Sequence, residues 1–223
     1  MNKQAVRERI LEIGIVPVVR AASPEMALAA ARAVSEGGIP IVEVTMTVPG
    51  ATEVISELTK SMGRQLLIGA GTVLDAATGK RCIEAGAQFL VSPGFNAGTV
   101  EMARGEGVLM MPGALTPTEI ITAWEAGVDF VKVFPCGNLG GPSYIKALKA
   151  ALPQIPMIPT GGVNLTTAAQ FFEAGAAALG VGGELISASA LKAGNVSSIT
   201  EAAREYAALA REVRATRSAM HVA

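Results

Sequence analysis

Histidine is almost missing from this 223-residue chain: the one imidazole is His221, two residues from the C-terminus. A Ser-His-Asp or Cys-His catalytic arrangement needs an imidazole in the heart of the site, and a tail position does not supply it. Zinc sites built on several histidines are excluded as well, because the two cysteines, Cys82 and Cys136, cannot make up the ligand set. Two cysteines are also too few for a disulfide scaffold, so a reducing cytoplasm is the expected compartment. Charge imbalance is lacking too. The 18 Lys+Arg oppose 19 Asp+Glu, a formal net of −1, which argues against nucleic acid and against an electrostatic membrane surface as partners. Apolar runs are broken by charges well before the roughly 18 residues a bilayer span needs. The start, MNKQAVRERILEIG, lacks the apolar stretch of a signal peptide. Any proton chemistry at neutral pH therefore falls to Lys, Glu, Asp or Tyr.

What is present is apolar and regular. Half of the residues are hydrophobic and 17% are charged, which supports a well-buried core. Glu-Gly-Gly at 36–38, Glu-Ala-Gly at 84–86, Glu-Gly at 106–107, and Glu-Ala-Gly at 125–127 and 173–175 each precede a short apolar run. Glycine just past a helix end can adopt the left-handed cap, so each reads as a helix stop feeding a strand. The glutamates are 48, 22, 19 and 48 residues apart, and each longer interval holds another break, at Gly63 and at Pro153-Gln154-Ile155-Pro156. A unit of roughly 19–25 residues repeated about eight times suits strand plus helix plus two loops. The expected strands are 15–19, 41–45, 66–70, 88–91, 108–111, 130–133, 157–159 and 178–181, with an extra helix near 2–13. Helix starts are marked by Ser23-Pro24, by Thr116-Pro117 with Glu119 at capping-box spacing, and by Asn164. Strands alternating with helices imply parallel pairing. Eight units close into a (β/α)8 TIM barrel with an extra N-terminal helix, one α/β domain over residues 1–223; an open doubly wound sheet is the runner-up. In a barrel, chemistry sits at the C-terminal strand ends.

Of seven lysines, only Lys132 lies inside a strand-like apolar run, Phe130-Val131-Lys132-Val133-Phe134. Alternation puts Phe130, Lys132 and Phe134 on one face. Burial strips water from an ammonium and favours the neutral amine, the form that attacks a carbonyl to give a Schiff base. A lysine leaning out of the strand end to pair with a carboxylate is the competing reading. Glu43 is a second lone charge, in Ile41-Val42-Glu43-Val44-Thr45. It is open to the same pair of readings, acid/base group or structural ion pair. Thr160-Gly161-Gly162 after the seventh strand and Gly180-Val181-Gly182-Gly183 at the eighth stand where barrel loops cradle phosphates with backbone N–H groups. Gly69-Ala70-Gly71-Thr72 would let a substrate approach while Thr72 offers a hydroxyl. Cys136 has no imidazole to activate it and reads as packing.

Glu-Val-Thr at 43–45, Gly-Ala-Gly-Thr at 69–72, Val-Ser-Pro-Gly at 91–94, Pro112-Gly113, Lys-Val-Phe-Pro at 132–135 and Pro-Thr-Gly-Gly at 159–162, taken together, resemble the 2-keto-3-deoxy-6-phosphogluconate (KDPG) / 4-hydroxy-2-oxoglutarate (KHG) aldolase family. The resemblance runs from about residue 10 to 190 in order and spacing. It implies a class I aldolase on a (β/α)8 barrel, a homotrimer needing no metal or other cofactor. Such an enzyme splits a small 2-keto-4-hydroxy acid into pyruvate and an aldehyde. It further implies Lys132 as the Schiff-base lysine and Glu43 as the acid/base. Thr72 would bind the pyruvyl carboxylate, Pro93 and Phe134 would line the pocket, and Thr160, Gly161 and Gly162 would face the phosphate.

Two positions depart from the family pattern. Where several members carry an arginine four residues after the glutamate, this chain has Thr47; Arg20, at the end of the first strand, is the expected substitute. After Gly182, many members have a phosphate-binding serine, whereas here Gly183 is followed by Glu184. A carboxylate there opposes a phosphate, so a non-phosphorylated or galactonate-type 2-keto-3-deoxy acid is an alternative substrate. A phosphate-binding barrel isomerase or epimerase would ordinarily need histidines or a metal. A non-catalytic sugar-acid binder is the remaining reading.

Overall fold

The computed structural model describes residues 1–220, with side chains described as far as Thr216; His221 lies outside the described residues. Helix α1 (Lys3–Ile13) leads into β1 (Ile15–Val19), α2 (Pro24–Glu36), β2 (Ile41–Thr45), α3 (Ala51–Met62) and β3 (Leu67–Gly71). There follow α4 (Ala76–Glu84), β4 (Phe89–Val91), α5 (Ala97–Gly105), β5 (Leu109–Met111), β6 (Gly113–Ala114) and α6 (Pro117–Glu125). The chain continues through β7 (Val131–Val133), α7 (Pro142–Ala151), β8 (Met157–Pro159), α8 (Leu165–Glu173), β9 (Leu179–Val181), the short α9 (Ala188–Lys192) and α10 (Val196–Met220). Each of the five glutamate–glycine stops contains one left-handed glycine, at 38, 86, 107, 127 and 175, the geometry that ends a helix and turns the chain into a strand.

All strand pairing is parallel, in a six-stranded sheet ordered β5-β4-β3-β2-β1-β9 and a three-stranded sheet ordered β6-β7-β8. The two sheets meet twice. Pro112 alone separates β5 from β6; its missing N–H interrupts the ladder, while its carbonyl still accepts from the Lys132 N–H at 3.0 Å. The fifth expected strand, 108–111, ends before this break, and a further two-residue segment, β6, follows it. On the other side Thr160 bridges Gly180 in parallel, and the Ala177 N–H donates to the Met157 carbonyl at 2.9 Å. The sheet is thus strongly curled, with helices on its outer face.

Strand burial follows from covering both faces. Val42 and Val44 and their opposite-parity neighbours Ile41, Glu43 and Thr45 are all buried. The third, fourth, fifth, sixth and eighth expected strands each begin one residue later than the sequence pattern suggests, and the third also ends one residue later, at Gly71. The Leu66 N–H turns back to the Met62 carbonyl, closing the end of α3, whereas the Leu67 N–H donates to Pro40 across the ladder. Helix α1 sits against the N-terminal side of β7: Lys3 pairs with Asp129 at 2.7 Å, and the Arg7 guanidinium lies 5.6 Å over the Phe130 ring. Caps read from sequence at Ser23, Thr116 and Asn164 are all formed, with a complete capping box between Thr116 and Glu119.

Candidate active site

Glu43 and Lys132 come from strands in different sheets, yet their side chains meet inside the curl. The Lys132 Nζ lies 3.6 Å from the Glu43 Oε1, and the residues are 5% and 2% exposed. Register explains the meeting. Glu43 stands opposite Val18 on β1 and Gly69 on β3, and Lys132 stands opposite Gly113 on β6 and Ile158 on β8. Two apolar strands each contribute one charge to the same interior. A buried carboxylate and ammonium are tolerated there because each is the other's counter-ion. The Lys132 Nζ also lies 5.6 Å from the centre of the Phe134 ring. The Glu43 Oε1 has no hydrogen-bond partner among the described residues, which leaves a lone pair available to a reacting group.

The glycines of β3 have a different purpose from the one their sequence suggests. A Cβ on Gly71 would overlap the Glu43 Oε1, and a Cβ on Gly69 would overlap the Phe89 ring. The bare face of β3 is therefore filled by protein side chains, an aromatic ring below and the carboxylate above, rather than kept open for a substrate. Thr72, directly after Gly71, is half-buried and carries the left-handed φ of 58°, a conformation that costs an L-residue about 1–2 kcal/mol.

The remaining sequence candidates surround the C-terminal ends of the strands. Pro93 is exposed, and its carbonyl is pressed against Gly113, where a Cβ would collide with it. Just before it, Ser92 is 2% exposed and donates its hydroxyl to the Gly94 carbonyl at 2.6 Å. Ser92 belongs to the Val-Ser-Pro-Gly motif but has no role assigned from sequence; its signal is the lone hydroxyl closing the apolar run Phe89-Leu90-Val91. Phe134 is half-buried, its ring 3.7 Å from where a Gly161 Cβ would sit. Thr160 is buried with its hydroxyl against Gly180. Gly161 and Gly162 both take left-handed backbone, and the Gly137 N–H donates to the Gly161 carbonyl at 2.9 Å. The Gly182 carbonyl accepts from Leu185 and Ile186, while Gly183 is exposed and has nothing within 4 Å of its Cβ position.

Arg20 and Thr47 are both exposed and line one cleft of about 220 Å³. The Thr47 hydroxyl is 2.7 Å from that of Thr45, which donates to the Val19 carbonyl. The Arg20 guanidinium leans toward Gly182, its Nη1 3.3 Å from that residue's Cβ position. A larger surface depression of about 650 Å³, bordered by Lys60, Arg64 and Gln88, lies at the opposite ends of β3 and β4; it holds no carboxylate. Cys136 is fully buried with its Sγ 3.7 Å from the Gly141 carbonyl, and burial pushes its thiol up to about 12, so it packs rather than reacts. Among the described residues no cluster of three or more His, Cys, Asp or Glu could hold a metal ion, and no helix is long and apolar enough to cross a membrane.

An interior lysine beside a carboxyl group with a free oxygen can form and protonate an imine. Comparison with known proteins points the same way. The family model described as KDPG and KHG aldolase matches residues 6–202. The 2-dehydro-3-deoxy-phosphogluconate aldolase of Treponema pallidum is 37% identical over 86% of this chain and 91% of its own length. The 2-dehydro-3-deoxy-6-phosphogalactonate aldolase of Escherichia coli is also 37% identical, over 78% of this chain and 85% of its own. A crystal structure of KDPG aldolase from Legionella pneumophila, with pyruvate captured as a covalent carbinolamine, superposes with a TM-score of 0.83 at 29% identity, covering 89% of this chain and 96% of that one. With residues 6–202 accounted for by one model, the chain belongs to the KDPG and KHG aldolase family.

Proposed function

We propose how this aldolase of 2-keto-3-deoxy acids works and what it cleaves. The two curled sheets are read as one closed (β/α)8 barrel in which β5 and β6 are a single strand interrupted at Pro112, and residues 1–223 as one domain. Lys132 is the Schiff-base residue and Glu43 the acid/base. The observation that carries this assignment is the buried 3.6 Å approach of Nζ to an Oε1 with no other partner.

The free amine of Lys132 attacks the C2 ketone, and the Glu43 carboxyl protonates the carbinolamine hydroxyl, which leaves as water. The protonated imine is an electron sink. The Glu43 carboxylate takes the proton from the C4 hydroxyl, the C3–C4 bond breaks, and its electron pair moves into the imine to give an enamine while the aldehyde departs. Glu43 returns its proton to C3, and water hydrolyses the imine to free pyruvate and Lys132. One carboxyl serves each transfer because it is alternately acid and base within hydrogen-bond reach of the reacting atoms.

Thr72 and Arg20 are the ligands assigned to the pyruvyl carboxylate, Pro93 and Phe134 flank the reacting carbons, and Thr160, Gly161, Gly162, Gly182 and Gly183 receive the far end. Thr47 borders the same mouth. The preferred substrate is 2-keto-3-deoxy-6-phosphogluconate or 4-hydroxy-2-oxoglutarate, cleaved to pyruvate with glyceraldehyde 3-phosphate or glyoxylate. Glu184, exposed beside Gly183, favours a weakly charged or unphosphorylated far end as the second reading. A homotrimer in the cytoplasm, without nucleic-acid, membrane or metal partners, completes the proposal.

Borohydride reduction in the presence of pyruvate tests the chemistry. The expected result is one stable adduct on Lys132, absent in Lys132→Ala. No adduct, with Lys132→Ala still cleaving substrate, overturns it. In the same assay series Arg20→Ala should raise KM for pyruvyl acids strongly; an unchanged KM removes Arg20 from the site.

A further inference from the structure

The turn that leaves β4 is tied down on three sides. The Ser92 N–H donates to the Met111 carbonyl at 3.2 Å, so this residue still belongs to the ladder with β5. Ser92 is 2% exposed, and a hydroxyl buried that deeply needs a partner. Its partner is the Gly94 carbonyl at 2.6 Å. That bond bridges Pro93, which has no N–H of its own to fasten the turn and whose ring fixes φ. The third tie lies underneath. A Cβ on Gly113 would collide with the Pro93 carbonyl and with the Gly94 nitrogen, so the Pro93–Gly94 peptide fills the space that a side chain at 113 would occupy.

Gly113 stands opposite Lys132 in the parallel register of β6 and β7, and the Lys132 N–H donates to the Pro112 carbonyl at 3.0 Å. Residues paired in such a register send their side chains to the same face of the sheet. The peptide pressed onto Gly113 is therefore a neighbour of the lysine side chain, and Pro93 walls one side of the space beside it. Ser92 sets where that wall stands.

We propose that Ser92 is a positioning residue: through Gly94 it fixes Pro93 as a rigid wall against C3 of the keto acid, and the enzyme thereby selects a donor whose C3 carries no substituent. This rests on the aldolase reading above, in which Pro93 flanks the reacting carbons. Pyruvate, whose C3 is a methyl group, fits against the wall. In 2-oxobutanoate one further methyl group sits on C3, and it crowds the wall once C3 also bonds to the aldehyde carbon. A fixed pocket discriminates one methylene by about 10–200-fold. With the Ser92 hydroxyl removed, the turn yields and part of that discrimination is lost.

The test measures aldol addition to glyoxylate with pyruvate and with 2-oxobutanoate as donors, on the wild-type chain, Ser92→Ala, Ser92→Thr and Ser92→Cys. The ratio of kcat/KM, pyruvate over 2-oxobutanoate, should fall about fivefold or more in Ser92→Ala. Ser92→Thr, which keeps the hydroxyl, should restore most of it. Thermal midpoints serve as the folding control. Ser92→Cys, of nearly the same size but only a weak donor, carries the test if Ser92→Ala does not fold. An unchanged ratio in whichever of the two folds, with both donors slowed alike, overturns the inference and leaves Ser92 a residue of the fold alone. Failure of the wild-type chain to form a pyruvate adduct under borohydride would instead defeat the aldolase reading, so the two failures are told apart.

Discussion

Gly71 and Glu43 occupy one space: the position a Cβ on Gly71 would take is already filled by the Glu43 Oε1. The glycine is thereby a positioning residue for the proposed acid/base. Gly71→Ala must push the carboxylate away from Lys132, and a displacement of about 1 Å at a reacting centre costs on the order of 100-fold in rate. The expected outcome is a loss of that size in kcat for cleavage and a slower borohydride trapping of pyruvate on Lys132, since Glu43 serves both steps, with the thermal midpoint little changed. A loss of activity matched by a large fall in the thermal midpoint would show that Gly71 acts on the fold and not on the carboxylate.

The buried pair should oppose stability as much as it serves chemistry. Burying two charges is costly, and replacing both by neutral groups of similar size is commonly neutral or stabilising by about 1–4 kcal/mol. Glu43→Gln/Lys132→Met together should therefore melt no lower than the wild-type chain while being inactive. Lys132→Met alone strands a carboxylate in the interior and should cost about 3–5 kcal/mol. Denaturant midpoints of the three proteins check the order.

Thr72→Gly separates binding from folding at the left-handed position. Relief of about 1–2 kcal/mol of backbone strain is offset by roughly 0.5–1 kcal/mol of glycine entropy. Stability should stay within about 1 kcal/mol of wild type. Loss of the hydroxyl should raise KM for pyruvyl acids about tenfold or more, the value of one hydrogen bond to a charged group. A melting shift without a KM change would remove Thr72 from the site.

Alkaline stability follows from three buried acids. Burial pushes Cys82 to about 11, Cys136 to about 12 and Tyr206 to about 12, from ordinary values of 9.0 for the thiols and 10.0 for the phenol. In each the folded state holds the proton more tightly than the unfolded chain. Their contribution is complete below about pH 9 and is lost progressively as pH rises toward 12. Unfolding midpoints should decline across that window, and both thiols should resist alkylation at pH 8 until the chain is unfolded.

Sequence carried the identity of the candidate residues further than their geometry. The buried, paired positions of Lys132 and Glu43 were legible because a lone charge inside an apolar run conflicts with burial unless a counter-charge compensates it. The stops at Gly38, Gly86, Gly107, Gly127 and Gly175 were legible because few residues take a left-handed backbone freely. Side-chain packing between distant segments was not. Nothing in Gly69-Ala70-Gly71 reports that Phe89 and Glu43 will fill the space, since that depends on strand register. Nothing in the sequence around Lys192 reports that it will border the same cleft as Arg20, more than 170 positions earlier. The split at Pro112 was hidden as well, because a proline within an apolar run fits a strand end as readily as a strand interior.

Helix α1, held by Arg7 over Phe130 and by Lys3 on Asp129, occupies the N-terminal end of β7, which leaves the C-terminal strand ends as the side from which the proposed mechanism brings substrate to Lys132. In that mechanism pyruvate stays bonded to Lys132 after the C3–C4 bond breaks, so the aldehyde leaves first and the keto acid follows. Product inhibition should accordingly show a compulsory order of departure, with added pyruvate competing directly against substrate.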